Sequence, residues 1–170
     1  MRKRYCVYLI VILLLSLCSC TVKQQPPESA VAFYYQRSSI DPAESVGVIS
    51  KDYQVLSVSS SNYISVLKAY LQGPVSDPLH KVFPMGITLI DLDIHGRQAD
   101  IVLGGTFDTL EGMNRTIFCA CLTLTVCDLT GAQQVSIYRE QDAPKDEPVA
   151  VMRPEDIVLL DDCTLEVDHN

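Results

Sequence analysis

Tyr63, Val66, Leu67, Tyr70 and Leu71 place apolar side chains at the i, i+3, i+4, i+7, i+8 spacing that lines one face of an α-helix. Just before them, Ser59-Ser60-Ser61-Asn62 offers short side-chain oxygens that can accept the amide hydrogens left open at a helix start. Just after them stand Gly73, which tolerates a left-handed exit, and Pro74, which cannot continue a helix. The pattern predicts a helix from about Asn62 to Gln72, and this helix interrupts segments of a different kind.

Before it, Val31 to Gln36 (VAFYYQ) is β-branched and aromatic and reads as a strand. Ser38 to Ser45, with Asp41-Pro42, reads as a loop. Val46 to Ser50 and Tyr53 to Val58 are short apolar stretches, one or both of them strands. After the helix, Pro74 to Gly86 is Pro-rich and expected to be irregular. Ile87 to Ile94 alternates: Leu89, Asp91, Asp93 and the following His95 would share one strand face and Ile90, Leu92 and Ile94 the other. His95 to Gln98 would turn a hairpin into the strand Ala99 to Leu103, which Gly104-Gly105 would end.

Asp108 and Asn114 offer starts for a second helix. Its stripe would be Met113, Ile117, Ala120, Cys121, Leu124 and Cys127, and Gly131 would close it. Val135 to Tyr138 is the next strand. Val149 to Met152 and Ile157 to Leu160 are further short strand segments. A hairpin between two helices, flanked by strands, gives an α+β class: two helices packed on a mixed β-sheet with a central β-hairpin, in the order β-β-α-β-β-α-β.

The N-terminus is of another character. Arg2, Lys3 and Arg4 precede the apolar run Val7 to Leu17, a basic and then apolar arrangement typical of an export signal. The run is short for a membrane-spanning helix, which needs about 20 apolar residues, although an uncleaved anchor is the alternative. Leu17-x-Ser19-Cys20 resembles the lipobox of bacterial lipoproteins, so residues 1–19 are expected to leave as a signal peptide and Cys20 to carry lipid. Residues 20–29, polar and Pro-rich, would be the tether, 30–139 the folded domain and 140–170 a C-terminal extension. Loss of the three basic residues takes the formal charge from −8 to −11. That acidity argues against nucleic acid and against an electrostatic grip on anionic lipid, so membrane contact falls to the lipid on Cys20.

Of seven cysteines, Cys6 and Cys18 would leave with the signal, and Cys119, Cys121, Cys127 and Cys163 would remain beside Cys20. The first three of these lie in an apolar run, where a thiol is a small core residue. A bridge from Cys163 and a Cys-x-Cys-x5-Cys metal site are the alternatives, the latter without the paired spacing and nearby His usual for zinc.

The chain resembles the GerMN (sporulation and spore germination) domain family. Leu67, Leu71, Gly73 and Pro74 match its Leu-x-Gly-Pro helix end, and Pro84-Met85-Gly86 its Pro-x-Gly loop. Phe33-Tyr34-Tyr35, the hairpin Leu89 to Leu103 with Phe107, Leu122-Thr123-Leu124-Thr125 and Val135 to Ile137 match in the same order. Ile87 stands where the family usually has Thr, and Val102 and Gly104 where it usually has Asp and Ser. The resemblance implies a non-catalytic module of envelope or sporulation assemblies, anchored on the extracytoplasmic face of the cell membrane.

Three functions are compatible with these residues. The first is a lipid-anchored interaction module with envelope or sporulation proteins as partners, self-assembly included. The second is a lipoprotein that binds peptidoglycan or another cell-wall glycan, stacking sugars on Tyr34, Tyr35, Tyr63 and Tyr70. The third is a metal-dependent hydrolase using Asp91, Asp93 and His95, with Asp100 able to join the same face. An alternating solvated strand face explains those carboxylates equally well, and core packing explains the tyrosines. His80 and His169 have no evident partners, and Asn114-Arg115-Thr116, a glycosylation sequon, is better read as a helix cap. No enzyme, cofactor or metal is expected.

Overall fold

The computed structural model describes residues 30–37, 48–75, 79–80, 85–142 and 147–157. In chain order these form β1 (Ala30–Arg37), β2 (Ile49–Val55), α1 (Tyr63–Tyr70), β3 (Leu79–His80), β4 (Ile87–His95), β5 (Gln98–Gly105), α2 (Gly112–Thr130), β6 (Gln134–Arg139) and β7 (Ala150–Met152). Short 3-10 turns follow β5, β6 and β7, at Thr106–Thr109, Glu140–Asp142 and Pro154–Asp156. The α+β class and the order of its main elements agree with the sequence reading.

The strands form two sheets. One has the order β2-β1-β3 and is antiparallel; the other has the order β4-β5-β6-β7 and is mixed, since β5 and β6 run parallel. The two apolar stretches before α1 fuse into the single strand β2. The irregular segment after α1 contributes the two-residue β3. Ile157 follows a 3-10 turn rather than starting a strand, and residues 158–160 lie outside the described part, as do 1–29 with Cys20.

Helix α1 is set by the residues that predicted it. Asn62 caps it, its side-chain oxygen accepting the Ser65 amide at 3.2 Å. Val66, Leu67 and Tyr70 face inward, and Gly73 takes φ +105°, where a side chain would be strained.

Helix α2 departs from the expected single stripe. All ten residues from Phe118 to Cys127 are buried. Phe118, Cys119, Leu122 and Val126 join the main core with Phe33, Ile101, Leu103 and Ile137, while Ala120, Cys121 and Leu124 pack on Tyr34 and Ile49. A helix buried on opposite faces has no polar side for periodicity to detect. Each large apolar side chain so enclosed contributes about 1.5–3 kcal/mol. Met113, the first residue of the expected stripe, is exposed. The helix begins at Gly112, and Glu111 before it makes no side-chain cap.

A buried polar knot ties α2 and α1 to β1. The Tyr34 amide donates to Thr125 Oγ1 at 3.0 Å. The Tyr70 hydroxyl donates to the Tyr34 carbonyl at 3.3 Å and stands in hydrogen-bonding reach of Thr125. The Tyr35 hydroxyl donates to the Tyr70 carbonyl at 2.8 Å, and the two rings stack with centroids 5.0 Å apart. Thr125 thus supplies from a helix an acceptor for a buried strand amide, and buried backbone donors need such partners.

The central hairpin holds the largest local difference from expectation. Leu89 pairs with Leu103, but Asp91 pairs with Val102, so Ile90 is an extra residue on β4. This β-bulge reverses the alternation. Leu89 therefore joins Leu92 and Ile94 on the core side, and Ile90 turns outward over Gly104. Strand β5 does not end at its two glycines; Gly104 and Gly105 remain paired with Thr88 and Ile87. Gly105 has φ +69°, and a Cβ there would collide with the carbonyl of Gly86. That carbonyl accepts the Thr106 amide at 3.2 Å, so the close approach is part of how the hairpin closes.

Candidate functional site: an apolar groove beside α2

Beside the first turns of α2 the described surface opens into an apolar groove of about 680 Å³. Its floor is Ile49 and Ala120, and its walls are Ile117, Met152 and Ile157. Met113 and Val151 stand exposed at the mouth. Gln36, Thr116 and Asp156 bring polar groups to the lining, Asp156 as its only carboxylate among the described residues. The groove exists because α2 presents Ile117 and Ala120 to β1 and β2 while β7, three residues long, covers only part of the helix. Its residues come from five separate elements, so no contiguous motif could reveal it. The sequence signal was the leading part of the expected helix stripe, Met113, Ile117 and Ala120.

The other sequence-derived residues fall elsewhere. Asp91, Asp93 and His95 lie on the exposed side of β4, and Asp100 is half-buried beside them. His95 Nε2 stands 3.4 Å from Asp93 Oδ2 and 3.5 Å from Asp100 Oδ2. Asp91 is engaged locally, its Oδ1 accepting the Leu92 amide at 2.9 Å. No group of three or more His, Cys, Asp or Glu side chains among the described residues could hold a metal ion.

The four tyrosines do not form a stacking surface. Tyr35 and Tyr70 are fully buried, Tyr34 is buried with its hydroxyl donating to Asp128 at 3.2 Å, and Tyr63 is half-buried. Burial pushes the Tyr35 and Tyr70 hydroxyls well above the usual phenol range. Lys51 covers Tyr34 on the outside, with Nζ 5.0 Å from the ring centroid and 3.4 Å from Asp128.

Cys119, Cys121 and Cys127 are free, buried thiols. Burial raises them to about 12, about 12 and about 11 respectively, far from the range of a reactive thiolate. Cys163, like His169, lies outside the described residues.

Of the helix-end and loop residues, Leu67 and Leu71 are buried, Gly73 is the positive-φ exit and Pro74 follows half-buried. Gly86, at φ +99°, offers its carbonyl to Thr106 as described. Pro84 lies outside the described residues. All the described ones of this set shape the chain's path and none lines the groove.

With this architecture in view, the first GerMN domain of the sporulation protein GerM from Bacillus subtilis superposes with a TM-score of 0.53, at 19% identity, over 73% of this chain and 92% of that one. The fold is that of a GerMN domain. A candidate lipoprotein from Clostridium perfringens matches with a TM-score of 0.45 at 14% identity, over 78% of this chain and 93% of that one. No protein-family model and no curated protein matches the sequence. Among the described residues, no helix is long and apolar enough to cross a membrane.

Proposed function

We propose that this chain is a lipid-anchored, non-catalytic interaction module on the extracytoplasmic face of a bacterial membrane, serving an envelope assembly of the sporulation or germination type. In this reading residues 1–19 are removed, Cys20 carries the lipid, residues 20–29 are the tether and 30–139 the GerMN-like domain. Residues 140–170 extend it, and β7 and the last 3-10 turn come from that extension. The observation that carries the interaction role is the apolar groove beside α2, because exposed contiguous apolar surface is costly unless a partner covers it.

The partner best suited is another polypeptide presenting apolar side chains flanked by a basic residue, which would meet Asp156. A second copy of this acidic chain would bring like charge to the same rim, and like charges disfavour such pairing. The GerMN fold of the sporulation protein supports the setting, and the signal-like N-terminus supports the anchor.

A photo-crosslinker placed at Met113 in the full-length chain, expressed in its native membrane, tests the groove. The expected result is a crosslink to a different polypeptide that disappears in Ile117→Asp while the circular dichroism is unchanged. Crosslinks confined to the chain itself would replace this reading with self-assembly, and none at all would remove the groove from it. Mass spectrometry of the mature N-terminus tests the anchor separately: a peptide that retains residues 1–19 would overturn it.

A further inference from the structure

A second recess, of about 390 Å³, lies at the end of the mixed sheet where β5 and β6 begin, and only polar and charged residues line it. It is lined by His95, Arg97, Gln98, Gln133, Gln134 and Arg153, with Glu155 on its wall. Two of the guanidinium groups of an acidic chain meet here, and among the described residues no carboxylate forms an ion pair with either. Arg97 Nη1 donates to Gln133 Oε1 at 3.1 Å, and Arg153 Nε donates to Gln134 Oε1 at 3.0 Å. Amide oxygens fix the two groups in place without cancelling their charge, and each keeps further N–H donors for a ligand.

The floor is pre-ordered in one direction. Gln134 Nε2 donates to Gln98 Oε1 at 3.5 Å, and Gln98 Nε2 donates to Asp100 Oδ1 at 2.8 Å and to Ser136 Oγ at 3.3 Å. The chain of amides therefore runs from Arg153 to the Asp100 carboxylate, and this fixes which end of each amide is the donor. The backbone supports it: the Gln133 and Gln134 amides both donate to the Arg97 carbonyl, at 2.7 and 3.2 Å, which pins the hairpin loop against the start of β6. Negative groups are present too. Glu155 lines the wall, Asp93 and Asp100 flank His95, and Asp100 ends the amide chain of the floor.

We infer that this cleft binds an acidic sugar, its carboxylate held by Arg97 and Arg153 and its hydroxyls by the glutamine amides and Glu155. Arginine forks match a carboxylate with two parallel hydrogen bonds. Hydroxyls both donate and accept, as do amides, and Glu155 accepts from a hydroxyl while repelling an anion placed on its side. The inference does not depend on the groove or on a protein partner, and it uses none of the tyrosines.

Ligand-observed NMR on the detergent-solubilised full-length chain tests it, with glucuronate and N-acetylmuramic acid set against glucose and N-acetylglucosamine. The expected result is binding of both acidic sugars about tenfold tighter than their neutral counterparts, with Arg97→Gln and Arg153→Gln each removing that preference and leaving the circular dichroism unchanged. Equal binding of acidic and neutral sugars, no binding of any, or an unchanged preference in both variants would overturn it. Inorganic phosphate competing as tightly as glucuronate would overturn the sugar assignment, since a bare anion needs no amides.

Discussion

Thr123 and Thr125 sit two residues apart on α2, both fully buried, yet only Thr125 should lose stability on the same substitution. Thr125 Oγ1 accepts the Tyr34 amide at 3.0 Å and stands beside the Tyr70 hydroxyl. Thr125→Val keeps the volume and the helix propensity but leaves a strand amide buried without an acceptor. Such a group costs about 1–3 kcal/mol. At roughly 2–4 °C per kcal/mol for a chain of this size, the melting temperature should fall by about 4–8 °C for a central value near 2 kcal/mol. Thr123 Oγ1, by contrast, is buried with no hydrogen-bond partner among the described residues. Thr123→Val exchanges a hydroxyl already stripped of water for a methyl group, and the result should be neutral or stabilising by up to about 1 kcal/mol. Urea unfolding of the full-length chain followed by far-UV circular dichroism measures both. Because the two variants share composition, helix and burial, their difference isolates the hydrogen bond. A Thr125→Val chain as stable as the parent, or a Thr123→Val chain less stable than Thr125→Val, would refute the polar-knot argument.

Gly105→Ala should cost more than Gly96→Ala although both glycines have positive φ, +69° and +62°. The backbone contribution alone is about 1–3 kcal/mol at such a position, and only at Gly105 does the new Cβ meet a carbonyl, that of Gly86; paired thermal melts decide this. Alkali should destabilise the fold. Cys119, Cys121 and Cys127 ionise near 9.0 when unfolded but at about 12, 12 and 11 when folded. Above pH 9 the unfolded chain therefore binds fewer of these protons, and stability falls as pH rises towards 12, with the buried tyrosines acting in the same sense. Urea midpoints that stay flat from pH 8 to 11 would contradict this. Ellman's reagent at pH 8 should leave the same three thiols unlabelled until denaturant is added, and rapid labelling of the native chain would show that α2 is not enclosed as described.

The first helix was legible because one face meets the core and the other meets water, so Tyr63 to Leu71 wrote its period openly and Asn62 and Gly73 marked its ends. The second helix was legible in extent but not in orientation. Phe118, Cys119, Leu122 and Val126 lie off the expected stripe yet carry much of the core, because strands flank the helix on more than one side. The hairpin was found, but the outward turn of Ile90 was not, since a bulge is a property of the pairing with β5 and β4 alone cannot signal it. The division into two sheets was hidden for a similar reason: pairing partners are chosen in three dimensions. Both recesses collect residues far apart in sequence, and apart from Met113, Ile117 and Ala120 on the helix stripe their residues match no spacing rule. The aromatic residues misdirect for a simple reason: a tyrosine whose hydroxyl finds a backbone carbonyl, as Tyr35 and Tyr70 do, is as much a core residue as phenylalanine.

The 3-10 turn Pro154–Asp156 has a consequence for anyone who dissects this protein by mutation. Arg153 and Glu155 belong to the polar cleft, while Asp156 and Ile157 belong to the apolar groove. Consecutive side chains thus serve as the two sides of one partition wall, held by the Ile157 amide donating to the Pro154 carbonyl at 3.1 Å. A substitution that distorts the turn, such as Pro154→Gly, will be scored as a sugar-binding defect in one assay and a partner-binding defect in another. Genetics at this wall alone would merge two phenotypes that Arg97→Gln and Ile117→Asp, each remote from it in sequence, keep apart.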